Sequence, residues 1–178
     1  MRVVAGSLRG RRISGPDNET TRPTTDKVRE AVFNALGSLG VVEDARVLDL
    51  CAGSGAMGIE ALSRGASHCT FVETDRAALA TLRDNIDSLG ISERCTVVAG
   101  DALSRTGDKG EFDLLIADPP YGFTDWPGLL EGARASFVVL ESDRSPGDLP
   151  GWDTVREKRY GRTVVTFLER QARASAPA

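Results

Sequence analysis

From Arg46 onward the apolar positions fall into short blocks separated by longer amphipathic ones. "RVLDL", "HCTFVE", "CTVVAG", "FDLLIAD" and "SFVVLES" are short apolar runs bounded by turn formers, the pattern of buried strands. Between them, "GAMGIEALSRG", "DRAALATLRDNIDSLG", "DALSRTG" and "WPGLLEGARA" read as helices. This alternation predicts an α/β fold: a doubly wound parallel sheet with helices on both faces. The rhythm changes at the end. "DTVREKRYG" and "RTVVTFLER" adjoin around Gly161 and predict an antiparallel hairpin at the sheet edge.

The start reads differently. "RVVAG" and "RGRRIS" flank a Gly-Ser turn and predict a small β-hairpin, followed by the loop "GPDNET". Thr24 or Thr25 can cap a helix reaching about Leu36, with Val28, Ala31, Val32, Ala35 and Leu36 on one face. The expected organisation is an N-terminal hairpin and helix extension over residues 1–37, a sheet domain over 38–171, and a frayed tail over 172–178.

Composition narrows the classes. At 178 residues, with 40% hydrophobic and 27% charged positions, the chain fits one globular domain. No apolar run approaches the roughly 20 residues of a membrane helix. The start lacks a signal-like apolar segment, so a cytoplasmic location is expected. Cys51, Cys69 and Cys95 are far apart and odd in number, which argues for free thiols over a disulfide or zinc framework. His68 is the only histidine, so a His–acid relay or His-rich metal site is not expected. Net charge is −4, yet Arg2, Arg9, Arg11, Arg12, Arg22, Lys27 and Arg29 crowd the first thirty residues. Such a local basic face can grip phosphates on an acidic protein; a merely solvated face is the competing account.

"DLCAGSGAMG" places Gly53, Gly55 and Gly58 between a strand and a helix in a G-x-G-x-x-G pattern. Alone that pattern also serves ligand-free turns. No Lys-Ser/Thr pair follows, which disfavours triphosphate. Asp49 just before the glycines would repel a pyrophosphate and suits a cationic ligand. Glu73 closes the next strand, where an acid binds ribose hydroxyls. Asp101, after the third strand, can accept from an adenine amino group. A nucleoside bearing positive groups describes S-adenosylmethionine, with Ser54 and Ala102 beside those residues.

"IADPPYGF" is a rigid corner at a strand end. Pro119 and Pro120 lack N–H groups, so the corner offers only acceptors: the Asp118 carboxylate and the Pro119 carbonyl. An exocyclic amine presents two matching donors. Holding both hydrogens draws the nitrogen toward tetrahedral geometry and frees its lone pair for attack on a methyl group. Tyr121 offers a face on which an unstacked base can lie. A base inside a duplex could not reach such a corner, so a single-stranded, looped or flipped substrate is expected.

With these residues placed, the chain resembles the bacterial 16S ribosomal RNA guanine-N2 methyltransferases of the RsmD family. The resemblance runs through "RVVAGSLRGRR", "RPTTDKVREAVFNAL", "VLDLCAGSGAMGIEALSRGA", "FVE", "DPPYG" and "KRYGRTVVTF". It implies a Rossmann-like class I methyltransferase sheet of seven strands, with one guanine of 16S rRNA, in naked rRNA or the 30S subunit, as substrate. By that likeness Asp49, Gly53, Gly55, Glu73 and Asp101 line the cofactor, and Asp118 to Tyr121 hold the amine. Arg22, Thr25 and Arg29 would border the base pocket. Removing residues 1–14 is expected to abolish RNA binding and spare cofactor binding. DNA adenine-N6 or cytosine-N4 methylation would use the same corner but lacks room for a target-recognition region. Protein glutamine-amide methylation would not need the basic hairpin.

Overall fold

The computed structural model describes residues 1–15, 26–105 and 110–172; Thr24, Thr25, Arg22 and the tail from residue 173 lie outside them. Leu48, Leu50, Val72, Leu114, Leu115, Ile116, Val138 and Val139 are all buried, so the central strands need cover on both faces. A seven-stranded sheet results: β1 (Arg46–Leu50), β2 (His68–Glu73), β3 (Cys95–Ala99), β4 (Phe112–Ala117), β5 (Ala135–Ser142), β6 (Trp152–Tyr160) and β7 (Thr163–Arg170). Its order is β3-β2-β1-β4-β5-β7-β6. The first five strands are parallel, and β7 inserts antiparallel between β5 and β6.

Strand side chains alternate between two cores. Helices α1 (Asp26–Leu39), α2 (Ala56–Ser63) and α3 (Arg76–Leu89) cover one face. There Phe33, Leu36, Ile59 and Leu82 join one cluster with Val47, Phe71, Ile116 and Phe167. The other face is covered by α4 (Ala102–Arg105) and α5 (Trp126–Leu130), with Trp126 and Leu129 clustered with Leu48, Leu115 and Leu140. The strand order reverses between β1 and β4, which opens a crevice at their carboxyl ends.

Helix α1 runs past the expected Leu36. Gly40 adopts φ 69 and donates to the Gly37 carbonyl at 3.1 Å, while the Val41 N–H reaches Leu36 at 3.3 Å. That is a Schellman stop, and it requires the left-handed residue at Gly40.

The N-terminal segment folds back as expected but makes a single ladder pair, Arg2 with Arg12. The Val3 and Ile13 N–H groups bond across it to the Arg11 and Met1 carbonyls at 3.0 and 3.1 Å, and the donors nearer the turn go to α2. The buried Glu60 carboxylate in α2 accepts the Val4 N–H at 2.8 Å and the Ala5 N–H at 3.1 Å. Arg64 Nε reaches the same carboxylate at 2.7 Å, and Arg29 Nε lies 3.5 Å away. Ser63 Oγ accepts the Leu8 N–H at 3.0 Å and donates to the Ala5 carbonyl at 2.5 Å. The contact is so close that a Cβ on Gly6 would lie 1.8 Å from the Ser63 carbonyl oxygen. Val3 and Ile13 belong to the same core as the three covering helices. The described residues of the 1–37 extension therefore share the core of the sheet domain.

Arg29 departs from its expected place on an RNA-facing surface. It is fully buried, pairs with Asp26 at 2.8 Å and donates to the Arg2 carbonyl at 2.5 Å. Lying three residues before Val32, it occupies the inner face of α1 and ties that helix to the hairpin.

Glu60→Ala should cost about 3–5 kcal/mol in urea denaturation, because a buried guanidinium and two backbone donors lose their acceptor. Asp26→Ala, whose side chain is 56% exposed, should cost under about 1 kcal/mol. Equal losses would show that Glu60 is not the hub. Deleting residues 1–14 should resemble the Glu60 variant rather than leave the sheet domain untouched.

Candidate active site

Three glycines shape the turn from β1 into α2, and they act differently. Gly55 caps α2 in the left-handed region at φ 83. Gly58 lets α2 settle onto the sheet: a Cβ there would meet the Phe71 ring at 2.3 Å and Asp49 Oδ2 at 2.9 Å. Its N–H donates to that same Asp49 oxygen at 2.9 Å. Gly53 has no atom within 4 Å of its missing Cβ, which leaves open space beside the loop backbone. Ser54 is buried, and its carbonyl accepts from Asn85 Nδ2 of α3 at 2.9 Å. The same amide bonds both the N–H and the carbonyl of Ser14, at 2.8 and 3.0 Å. Asn85 thereby joins the end of the N-terminal hairpin to the glycine loop.

Glu73, at the end of β2, accepts from the Gly53 N–H at 2.7 Å through Oε2. Its Oε1 accepts from the Thr74 and Asp75 N–H groups at 2.7 and 2.9 Å. The carboxylate is thus locked in orientation by backbone before any ligand arrives. It lines a cleft with Cys51, Asp101, Ala102, Pro119 and Pro120. Val72, Leu103, Phe123 and Leu129 supply apolar lining to the same cleft.

The field in the cleft is negative. Burial pushes the Cys51 thiol up to about 12, and Glu73, Asp49, Asp118 and Asp101 each add to the rise. The thiol is therefore neutral and no nucleophile. Burial likewise lifts Asp49 to about 7; its bond from Gly58 opposes the shift, while Asp118 and Glu73 reinforce it. An apolar cleft ringed by carboxylates, with open backbone beside it, fits a nucleoside that carries hydroxyls and positive charge.

The corner follows β4. The Asp118 N–H points to the Leu50 carbonyl at 3.5 Å, which ties the corner to β1. Pro119 is buried and Pro120 exposed. The Phe123 N–H closes a turn onto the Pro120 carbonyl at 3.2 Å, with Gly122 at φ 89 in the position that needs a positive φ. Tyr121 stands at the apex, 51% exposed, its hydroxyl 3.2 Å from Thr163 Oγ1 at the start of β7. Phe123 turns inward and meets Trp126 edge-on, with ring centroids 4.9 Å apart.

Asp49, Gly53, Ser54, Gly55, Glu73, Asp101, Ala102 and the stretch Asp118–Tyr121 thus gather at the carboxyl ends of the parallel strands. The basic hairpin does not join them. Its turn packs against Ser63, the last residue of α2, about 12 Å along that helix from the glycine loop. Arg11 Nη2 bonds the Ser88 carbonyl at 2.8 Å near the far end of α3, and Arg2 Nη1 bonds Gly10 at 2.6 Å. Arg9 and Arg12 are exposed. Arg22 and Thr25 fall outside the described residues. His68 begins β2 at the opposite end of the sheet, its Nε2 2.9 Å from Thr96 Oγ1. Cys51, Leu103 and Phe123 were not anticipated. Cys51 and Phe123 lie inside the glycine-loop and corner motifs and Leu103 follows Ala102, and that placement is their only sequence signal.

The family described as conserved hypothetical protein 95 matches residues 1–169. Ribosomal RNA small subunit methyltransferase D of Escherichia coli (strain K12) is 36% identical over 190 residues, covering 100% of this chain and 94% of that protein. Its Haemophilus influenzae namesake is 31% identical over 183 residues, 94% of this chain and 91% of that one. Among solved structures, the Escherichia coli protein yhhF superposes with a TM-score of 0.84 at 37% identity, covering 97% of this chain and 99% of that chain. The architecture is the class I methyltransferase fold, with the antiparallel final hairpin that the sequence predicted.

The raised Asp49 has a definite pH signature. Its folded value of about 7 exceeds the ordinary 3.8, so the folded state holds the proton more tightly. Stability from this group is full below about 4, falls as pH rises toward 7, and is flat above. Asp49→Asn keeps an acceptor for Gly58 and removes that descent. Thermal melts without ligand should show little difference at pH 4 and a higher midpoint for the variant at pH 8. An unchanged difference across that range would place the carboxylate outside the buried negative field.

Proposed function

The chain belongs to the family described as conserved hypothetical protein 95, the RsmD family that its motifs resemble, and from that premise we propose that it methylates the exocyclic N2 amine of a guanine in 16S rRNA. S-adenosylmethionine is the methyl donor, the reaction is cytoplasmic, and the substrate is 16S rRNA, free or within the 30S subunit. The observation that carries this reading is the acceptor-only corner, Asp118 to Tyr121, opening beside the acid-lined cleft on adjacent strand ends.

The cofactor, when bound, supplies an electrophilic methyl group on a sulfonium. The chain's own residues do the rest. Glu73, held by three backbone donors, presents its outer lone pairs to ribose hydroxyls. Asp101 stands exposed at the cleft for an adenine amino group. Beneath the glycine loop, Asp49 is driven toward its charged form by a cation bound beside it. Gly53, Ser54, Gly55 and Ala102 shape the backbone that borders the cofactor.

At the corner, Asp118 and the Pro119 carbonyl take the two amine hydrogens. The nitrogen lone pair, withdrawn from the ring, is then free to form the new bond. Positive charge developing on the nitrogen is stabilised by the same acceptors, and one proton departs along the Asp118 hydrogen bond. Tyr121, pinned at its hydroxyl, keeps its ring face available to stack the unpaired base.

Asp118→Asn should slow single-turnover methylation about a hundredfold, with Asp118→Ala slower still, since Asn keeps one acceptor. Both should bind S-adenosylmethionine nearly as the parent does. Tyr121→Ala should weaken RNA binding by about 1–3 kcal/mol, and Tyr121→Phe only mildly. The assay is transfer of labelled methyl to naked rRNA, 30S subunits, DNA and protein. Near-parental rates for Asp118→Ala would remove the amine-holding role, and preferential labelling of DNA or protein would replace the substrate.

A further inference from the structure

Cations outside the N-terminal hairpin also stand near the corner: Arg144 pairs at 3.1 Å with Asp143, whose carboxylate accepts the Gly122 N–H, and the β6–β7 hairpin carries more. In β6, Lys158 pairs with Val165 and Arg156 with Phe167, both core residues of the face covered by α1 to α3. Residues directly opposite in an antiparallel pair share a face, so Arg156 and Lys158 stand on the side that carries the N-terminal segment. Both are exposed. Tyr160, on the same face, packs against the core and carries the Lys158 ammonium 5.1 Å from its ring centre. Arg159 projects to the opposite face, and Arg162 occupies the turn.

The position of that turn gives the cluster its meaning. Ser142, the last residue of β5, pairs with Val164, so the β6–β7 turn lies at the carboxyl end of the parallel strands, level with the corner. Tyr121 reaches across to Thr163, one residue after Arg162. Consecutive Cα atoms are about 3.8 Å apart, so the Arg162 backbone lies beside the hydroxyl that pins the stacking ring. The acid within this stretch, Glu157, does not cancel the cations. It faces the other side with Thr166, and its carboxylate accepts from the hydroxyls of Ser145 at 2.6 Å and Thr166 at 3.2 Å.

From this juxtaposition we infer that the β6–β7 hairpin, through Lys158 and Arg162 with Arg156 behind them, binds the RNA phosphates flanking the methylated nucleotide. The inference rests on the proposed reading of the corner as an RNA base site. A nucleotide swung out of its stack exposes the phosphates on either side of it, and those phosphates must lie close to the ring that receives the base. The edge hairpin places exposed cationic side chains on the strand end that Tyr121 reaches, while the N-terminal turn is anchored at the far end of α2. Two separated basic surfaces on one face then divide the work: the hairpin turn positions the strand at the corner, and the N-terminal arginines hold RNA further away.

The test is the double variant Lys158→Ala/Arg162→Ala, with Lys158→Arg as the charge-preserving control. Binding of a labelled 20-nucleotide oligouridylate is followed against salt, and steady-state methylation is measured on 30S subunits and naked 16S rRNA. Two lost single-strand phosphate contacts should make the log–log salt slope shallower by about 1.4. KM for RNA should rise by roughly tenfold, with kcat at saturating RNA and S-adenosylmethionine affinity unchanged, and Lys158→Arg should behave as the parent. An unchanged slope and KM would overturn the inference. So would weakened 30S binding with intact oligouridylate binding, because the hairpin would then meet ribosomal protein. Methyl transfer by the parent in the same assay separates the two readings: its absence on both RNAs overturns the corner as an RNA site, whereas its presence with an indifferent double variant overturns the hairpin alone.

Discussion

One buried carboxylate organises the half of the molecule that precedes β2. Glu60 sits in the middle of α2, with no exposure to water, and needs partners on every side. It finds them in two backbone N–H groups of the N-terminal segment and in Arg29 and Arg64. Because α2 springs directly from the glycine loop, that single residue couples the extension, α1 and the loop into one rigid unit. Asn85 repeats the connection from α3, bonding Ser14 and Ser54 with one amide. What reads along the chain as an appendage with arginines is, in space, part of the scaffold that sets the loop's shape.

The sheet was legible because its signals are local. Apolar runs of strand length, separated by helices, have few topologies, and the final pair around Gly161 had to be antiparallel to connect through so short a turn. Less legible was where backbone donors go. The N-terminal ladder holds a single pair, and past it Glu60, distant in sequence, takes the Val4 and Ala5 amides. The end of α1 was placed early for a related reason: Gly37 looks like a terminator, yet only Gly40 is left-handed.

The site was legible as residue types at strand ends and illegible as electrostatics. Asp49, Glu73, Asp101 and Asp118 were all found from motif position, but their mutual effect depends on burial that no motif records. Asp49 is lifted to about 7 because it lies under α2, not because of its neighbours in the chain. Glu73 reads along the sequence as a ligand contact, and in the structure its carboxylate is a brace for Gly53. Arg29 shows the opposite failure. A charged residue in a basic run looked like surface, and the helix turned it inward, where Asp26 and a backbone carbonyl neutralise it.

The insertion of β7 between β5 and β6 also sets an order for assembly during synthesis. A nascent chain that has produced β6 still has no neighbour for it, since β6 bonds only to the strand made after it. The outer edge of β5 stays open for the same interval, with apolar residues on either side of the strand. Both gaps close together when β7 emerges, and Thr163 at its start arrives with them to meet Tyr121. The earlier strands and the glycine loop can form while translation continues. The Asp118–Tyr121 corner acquires its last support only when that final strand is complete, so a truncated product that stops before it would present a finished acid-lined cleft beside an unbraced Tyr121 ring.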